Sequence, residues 1–393
     1  MSIRRVVAIT GTRADYGLMR PIFSAIEADD NLELGLIVTG MHLLSEYGLS
    51  VREIERDGFR ILRRVCMPLG GDTGLLMAKS LGTAILGFAD ALDAIRPDMI
   101  LLQGDRGEML AAAIAGAHAN IPIVHMCGGD LSGSIDDSIR HAITKFAHLH
   151  LATCKQSARR IKAMGEASER IFVVGEPSLD AIRNLEAVPK KQLEEKFDLD
   201  LASPLILATQ HPVTSEADQA AKQMRETLEA LVEVGEQTII TYPNSDAGGR
   251  AMSQILEEYK RYEFFRFSRN VSHNTYLSLM QVANVMVGNS SSGIYEAPSF
   301  RLPVVNIGTR QIGRLRAANV IDVGYKREEL VPAIKKALYN KEFRESLKHC
   351  INPYGDAHTS ERTVEILTHM RFGSELIAKW MPVKDILVPI PGK

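Results

Sequence analysis

The stretch Val6-Val7-Ala8-Ile9-Thr10-Gly11-Thr12-Arg13-Ala14-Asp15-Tyr16-Gly17 decides the fold. A charge-free run of strand length, Val6–Thr10, enters a turn of small residues, and helical patterning follows over Leu18–Ala28. A continuous apolar run, as opposed to an alternating one, marks a strand buried on both faces. Working outward, the unit repeats. Leu34–Val38, Met99–Leu102, Ile121–His125 and Ile171–Val174 read as further buried strands, with helices at Leu75–Ile95, Glu108–Ala119 and Ser138–Ala147. Such alternation builds right-handed strand–helix–strand units and a mostly parallel sheet covered on both sides.

The pattern pauses between Gly175 and Ser203, where Pro177, Pro189 and the charged run Lys190–Asp198 read as a linker leading into a short helix. It resumes after Pro204. Leu205–Thr209, Thr238–Tyr242, Phe264–Phe267, Val285–Val287 and Val304–Ile307 are the second set of strands. Glu216–Val234, Ala251–Tyr262, Thr275–Ala283 and Gly293–Ser299 are its helices, and Ser360–Phe372 forms a last one before a tail through Pro389 and Pro391. The fold class is therefore α/β, with two doubly wound domains and a cleft between them. The length of 393 residues agrees, at roughly 150 residues per domain.

Composition narrows the partners. Apolar residues make up 45% and charged residues 24%, an ordinary globular balance. Lys and Arg number 46 against 48 Asp and Glu, a net charge of -2 that argues against nucleic acid or a polybasic membrane surface. The longest apolar stretches, such as Ala111–Ala117, fall short of the roughly 18 residues of a spanning helix. Cys66, Cys127, Cys154 and Cys350 are scattered, with no Cys-x-x-Cys pair, which fits a reduced cytoplasmic protein.

In open α/β sheets ligands bind beyond the carboxyl ends of the strands. Polar clusters stand at those ends: Gly11–Asp15, Gln103–Arg106, His125–Asp130, Gln210–Pro212, Tyr242–Asn244 and Gly288–Ser292. Gly11-Thr12-Arg13 sits where a phosphate turn belongs, yet it matches neither the triphosphatase nor the dinucleotide fingerprint. Its plainer reading is a tight turn with Asp15 capping the helix. Gly288-Asn289-Ser290-Ser291-Ser292-Gly293 suits backbone and hydroxyl contacts to phosphate, with helix capping as the alternative. It misses the nucleophile-elbow pattern of serine hydrolases. Glu296 stands one turn inside, placed to accept two ribose hydroxyls. Asp105 is either a helix cap or a catalytic carboxylate. Asp130, Asp136, Asp137, Arg140 and His141 make a segment dense enough in ionisable groups for acid–base work. His125 and Cys127 lack companion ligands for zinc, so no metal is expected. His148 and His150 are better read as structural. His211 ends the first strand of the second domain.

Together, Thr10–Gly17, Val38-Thr39-Gly40-Met41-His42, Gly104-Asp105-Arg106, Ser132–His141, His211-Pro212-Val213-Thr214, Tyr242–Gly248, Gly288-Asn289-Ser290-Ser291 and Gly308–Arg314 resemble the hydrolysing UDP-N-acetylglucosamine 2-epimerases of sialic-acid biosynthesis. The resemblance runs from about Val6 to about Gly355. It implies a GT-B-like fold of two Rossmann-like domains, 1–178 and 179–358, with a C-terminal helix and tail, 359–393, packing back toward the first. By resemblance Arg13, Asn244, Ser290, Ser291, Glu296 and Arg310 hold the nucleotide. His211 and Arg106 stabilise the leaving diphosphate, and Asp105, Asp130 and Asp136 belong to the acid–base set. The chain departs from its relatives at one place. They commonly read His-Ile-Glu-Gly-Gly-Glu where this chain has His125-Met126-Cys127-Gly128-Gly129-Asp130, so a thiol replaces a carboxylate.

The implied chemistry removes H2 with a carboxylate while the C1–O bond to UDP breaks, giving a 2-acetamidoglucal. Water then adds, with protonation of C2 from the other face, releasing N-acetylmannosamine. No cofactor is required. UDP-2,4-diacetamido-2,4,6-trideoxyglucose is the alternative substrate. A GT-B glycosyltransferase and a non-catalytic sugar-nucleotide-binding protein are the rival classes. The acidic cluster favours proton transfer over a simple transferase, Cys127 is the only support for the non-catalytic protein, and the Arg13–Tyr16 segment favours the hydrolysing over the reversible epimerases. A homodimer or homotetramer is the expected assembly.

Overall fold

The computed structural model describes residues 3–45, 48–67, 74–132, 135–244, 247–269, 271–371 and 374–379. Gly133, Ser134, Ser245 and Asp246 of the quoted motifs, Phe372, and the tail through Pro389 and Pro391 lie outside them.

Two sheets emerge. The first holds β1 (Arg4–Thr10), β2 (Leu32–Thr39), β3 (Ile61–Val65), β4 (Met99–Gln103), β5 (Ile123–Met126), β6 (Leu149–Ala152) and β7 (Ile171–Val173). Its order is β3-β2-β1-β4-β5-β6-β7. The second holds β8 (Leu205–Thr209), β9 (Gln237–Thr241), β10 (Phe265–Ser268), β11 (Val285–Gly288), β12 (Val304–Ile307) and β13 (Val320–Val323), in the order β10-β9-β8-β11-β12-β13. Every pairing is parallel. Both sheets thus repeat one winding, in which strand order reverses between the first strand and the fourth.

The central strands β1, β4, β5, β8, β11 and β12 coincide closely with the apolar runs, because both their faces are covered. β3 and β13 carry no such run. They sit at sheet edges, where Arg63, Arg64 and Asp322 face solvent. The helix expected over Glu216–Val234 begins as a 3-10 turn, Thr214–Gln219, and becomes regular only over Ala220–Val234. Glu216 leaves helical geometry (φ -123°) and accepts from Tyr325 Oη at 2.8 Å and Gln223 Nε2 at 2.7 Å.

One expectation is revised. The helix Gly74–Ile95 contains a segment, Leu75–Ile95, whose mean hydropathy of 1.4 and length are those of a membrane-crossing helix. Interspersed Ala, Gly, Ser and Thr conceal it from a search for unbroken apolar runs. Ala84, Phe88, Ala91 and Leu92 bury its inner face in the first core, while Leu75, Met77 and Leu86 remain exposed.

The chain crosses between the domains twice, and the crossings lie side by side. Glu176 N–H donates to Tyr354 O at 2.8 Å, and the Asp180 carboxylate accepts from the amides of Thr359 (2.9 Å) and Ser360 (2.6 Å). Gly175 (φ +108°) faces Gly355 (φ +135°) so closely that a Cβ on Gly355 would stand 3.2 Å from Gly175 Cα. The helix Thr359–His369 then returns to the first domain, where Leu367 joins Tyr16, Met19 and Phe23 in its core. Arg4 Nη1 donates to Leu367 O at 2.6 Å.

Candidate active site

Each reversal of strand order opens a crevice, at β1/β4 in the first domain and β8/β11 in the second. After β1, Thr12 caps the helix Arg13–Glu27 in a reciprocal box with Asp15. The buried Asp15 carboxylate also accepts from Gly11 N (3.1 Å), Thr12 N (2.9 Å) and the Thr10 hydroxyl. Burial raises it to about 6. His42 backs this turn, with Nε2 at 3.0 Å from Thr10 Oγ1 and Nδ1 at 2.7 Å from Ser50 Oγ. Asp15 therefore closes the capping box from the third helical position, with Thr12 as the cap residue. Arg13 projects outward, exposed, with Glu53 at 3.9 Å.

After β4, Asp105 does not cap the following helix: Gly107–His118 starts from Arg106 with no side-chain cap. Asp105 instead pairs with the buried Arg140 guanidinium and accepts from Ser132 Oγ at 3.2 Å. Arg140 comes from the helix Ile135–Phe146, whose first turn carries Asp136 and Asp137. Arg106 Nε lies 3.3 Å from Glu108 Oε2, and Asp15 and Asp136 are the next negative charges acting on it. The structure thus gathers Asp105, Arg106 and Asp136 at one strand end. His148 and His150 are structural: His148 Nδ1 accepts from Ile123 N (3.0 Å) and His150 Nε2 lies 3.1 Å from Glu166.

In the second domain Asn289 clamps the His211 backbone, its Oδ1 accepting from His211 N at 2.7 Å and its Nδ2 donating to His211 O at 2.8 Å. Gly288 (φ +134°) makes this possible, since a Cβ there would lie 2.0 Å from Thr209 O. The imidazole Nδ1 accepts from Asn244 N–H at 3.2 Å, which leaves Nε2 to carry the proton. Burial and the Arg310 charge hold His211 down to about 3, so it is a neutral donor aimed out of the clamp. Arg310 Nη1 (3.0 Å) and Gln311 Nε2 (2.7 Å) both donate to Asn289 O. Ser290 and Ser291 are half-buried beside it. Glu296 is buried, its Oε2 meets no partner among the described residues, and burial pushes it up to about 7.

The domains meet over Asp130, whose carboxylate accepts from Thr153 Oγ1 (2.7 Å), Ser157 Oγ and, across the interface, Tyr295 Oη (3.1 Å). Arg314 donates to Leu131 O at 2.7 Å and lies over the Tyr295 ring at 4.9 Å. Cys127, in left-handed backbone (φ 63°), is buried there, and Gln103 Nε2 approaches its Sγ at 3.8 Å. Burial, then the carboxylates of Glu176 and Asp130, push the thiol well above its ordinary value. Tyr295 and Glu176 belong to no quoted motif, and Arg314 closes the Gly308–Arg314 motif without a role read from it. Glu176 was legible by the strand-end rule, as a charge closing the run Phe172-Val173-Val174-Gly175, but it fell inside the stretch read as linker.

The profile of the family UDP-N-acetylglucosamine 2-epimerase matches residues 24–368. A Legionella pneumophila protein named UDP-N,N'-diacetylbacillosamine 2-epimerase (hydrolyzing) is 38% identical over 377 residues, 96% of this chain and 99% of that protein. A Neisseria meningitidis UDP-N-acetylglucosamine 2-epimerase is 35% identical over 368 residues, 93% of this chain and 96% of the other. Among solved structures, a Neisseria meningitidis UDP-GlcNAc 2-epimerase bound to UDP-GlcNAc superposes with a TM-score of 0.80 at 20% identity. It covers 92% of this chain and 99% of the other, and establishes the GT-B-like fold. By profile, by near full-length identity and by fold, the chain belongs to the UDP-N-acetylglucosamine 2-epimerase family.

Proposed function

We propose that the protein is a hydrolysing sugar-nucleotide 2-epimerase that converts UDP-N-acetylglucosamine to N-acetylmannosamine and UDP. One observation carries this: two switch-point crevices whose contents differ in kind. Asp105, Arg106 and Asp136 supply acid–base groups beside a cation in the first domain. His211, Asn244, Ser290, Ser291, Arg310 and Glu296 supply donors and a ribose acceptor in the second. On this reading the second crevice and Arg13 grip the nucleotide. The His211 Nε2–H and Arg106 meet the charge that develops on the departing diphosphate. Asp105 or Asp136 takes H2, a positioned base being worth roughly 10²–10⁴-fold. Asp130, already accepting from three hydroxyls, serves to shape the sugar pocket.

The test is proton NMR of the reaction in D₂O. UDP, N-acetylmannosamine and deuterium at C2 are expected. Free N-acetylglucosamine retaining its C2 hydrogen means simple hydrolysis and defeats the mechanism. The second substrate, UDP-2,4-diacetamido-2,4,6-trideoxyglucose, is run in parallel because the 38% identical Legionella relative is named for that sugar nucleotide. The higher kcat/KM decides between them. The exposed Leu75, Met77 and Leu86 support a homo-oligomer, which light scattering resolves as dimer or tetramer.

A further inference from the structure

Glu176 stands three residues beyond Val173, the last paired residue of β7, at the same carboxyl edge as Cys127 beyond β5. β5, β6 and β7 are consecutive, with Cys127 N donating to Leu151 O and Val174 N to Ala152 O, both at 3.0 Å. The two side chains therefore leave the sheet two strands apart, about 10 Å at the backbone. Glu176 is the foremost charge acting on the thiol. Asp130, Glu296 and Arg314 are the other charged groups facing its carboxyl, so Glu176 sits where the domains close on each other. Its backbone is pinned by Tyr354 O and by Thr359 Oγ1, which donates to Glu176 O at 3.2 Å.

The residue is 3% exposed, and among the described residues no side chain hydrogen-bonds or ion-pairs with its carboxyl; only the Ser178 amide turns toward it. Glu166 of the same domain shows what a structural buried carboxylate looks like. It holds Lys145 at 2.5 Å, Lys379 at 2.6 Å and His150 at 3.1 Å, and these partners overcome burial to draw it down to about 2. Burying a carboxyl without such partners is costly, and it is tolerated where a proton must be held and delivered. Glu296 Oε2, buried and unpartnered, opens toward the same place.

We propose that Glu176 is a further catalytic residue: the acid that protonates C2 of the unsaturated sugar in the second half of the reaction. The inference rests on the hydrolysing-epimerase reading. In the first half-step H2 leaves as a proton to Asp105 or Asp136 and the C1–O bond electrons depart with UDP. In the second, the C1=C2 electron pair takes the Glu176 proton at C2, the oxygen of water bonds to C1, and the proton lost by that water passes to solvent. Glu176 is reprotonated from solvent, so the sum is addition of one water. Burial and the Asp130 and Glu296 charges keep the carboxyl in the acid form this role needs. The Cys127 thiol is held too weakly acidic to substitute.

The experiment follows both half-steps in wild type and E176Q by NMR in D₂O, with UDP affinity measured by calorimetry. E176Q is expected to bind UDP within about threefold of wild type and to release UDP and 2-acetamidoglucal. Its N-acetylmannosamine formation should fall at least about 100-fold. An E176Q enzyme that makes the 2-epimer at the wild-type rate overturns the proposal, as does one that loses elimination and hydration in equal proportion. If E176Q does not fold, E176D is used. Hydration slowed at least about tenfold more than elimination supports the role, and equal slowing overturns it. Wild type that releases no UDP overturns the epimerase reading, and this inference with it.

Discussion

Replacing Glu296 with Gln isolates the cost and the use of one buried charge. In the free enzyme its pKa is raised from 4.5 to about 7, burial being the principal cause. Below about pH 4.5 folded and unfolded chains are both protonated at this group. Between that value and about 7 the unfolded chain ionises while the folded one keeps its proton, so stability falls as pH rises. Integrating between the two pKa values gives a penalty of about 1 kcal/mol at pH 5 and about 3 kcal/mol at pH 8. Gln has nearly the same shape and no charge. At roughly 2.1 cal/mol/K per residue over 393 residues, the E296Q advantage in melting temperature should grow by about 3 °C from pH 5 to pH 8. UDP reverses the sense. Ribose hydroxyls donating to a charged acceptor are worth about 1.5–3 kcal/mol, so at pH 8 E296Q should bind UDP about 10- to 150-fold more weakly than wild type. At pH 6 wild type is only about one-tenth ionised at this group, and the variant-to-wild-type ratio should shrink accordingly. Taking the ratio at each pH cancels the titration of the nucleotide. Scanning calorimetry without UDP and titration calorimetry with it make the assay. A ratio and a melting difference that both ignore pH would remove Glu296 from the nucleotide site.

Cys127→Ala should keep most of kcat, because the thiol is protonated and only lines the pocket; loss of turnover with UDP binding intact would make it catalytic. Asp105→Asn and Asp136→Asn should each lower kcat at least about 100-fold in steady-state assays. Retained turnover in either variant removes that residue from the acid–base set. Gly288→Ala should destabilise by at least about 2 kcal/mol, since it adds a Cβ against the Thr209 carbonyl in left-handed backbone. Denaturant titration measures this, and a change below about 0.5 kcal/mol contradicts the geometry.

How much could be read in advance follows burial. Val304–Ile307 matches residue for residue because a central strand is buried on both faces and is apolar here at all but Asn306. Ile61–Val65 and Val320–Val323 are hidden because the exposed charges Arg63, Arg64 and Asp322 interrupt their short apolar runs at sheet edges. The crevice residues at strand ends were legible for a topological reason, and Gly11–Asp15, Asp105, His211 and Ser290 all lie where parallel winding puts them. What periodicity does not carry is convergence. Cys127, Glu176, Glu296 and Arg314 are separated by up to 187 positions in the chain and meet only when the domains close. Nor does sequence say which aspartate serves a helix cap: Asp15 and Asp105 follow similar strand–turn signals, and only Arg140, arriving from another helix, takes Asp105 out of that role.

The adjacent crossings have a mechanical consequence. Two chain segments that pass between bodies side by side act as the two knuckles of a door. Glu176 N–H on Tyr354 O and Asp180 on Thr359 and Ser360 clasp those knuckles, while Gly175 and Gly355 allow their near contact. The remaining freedom is a swing about the line joining them, with displacement proportional to distance from that axis. Glu176, mounted on the pin, stays almost still relative to the first sheet.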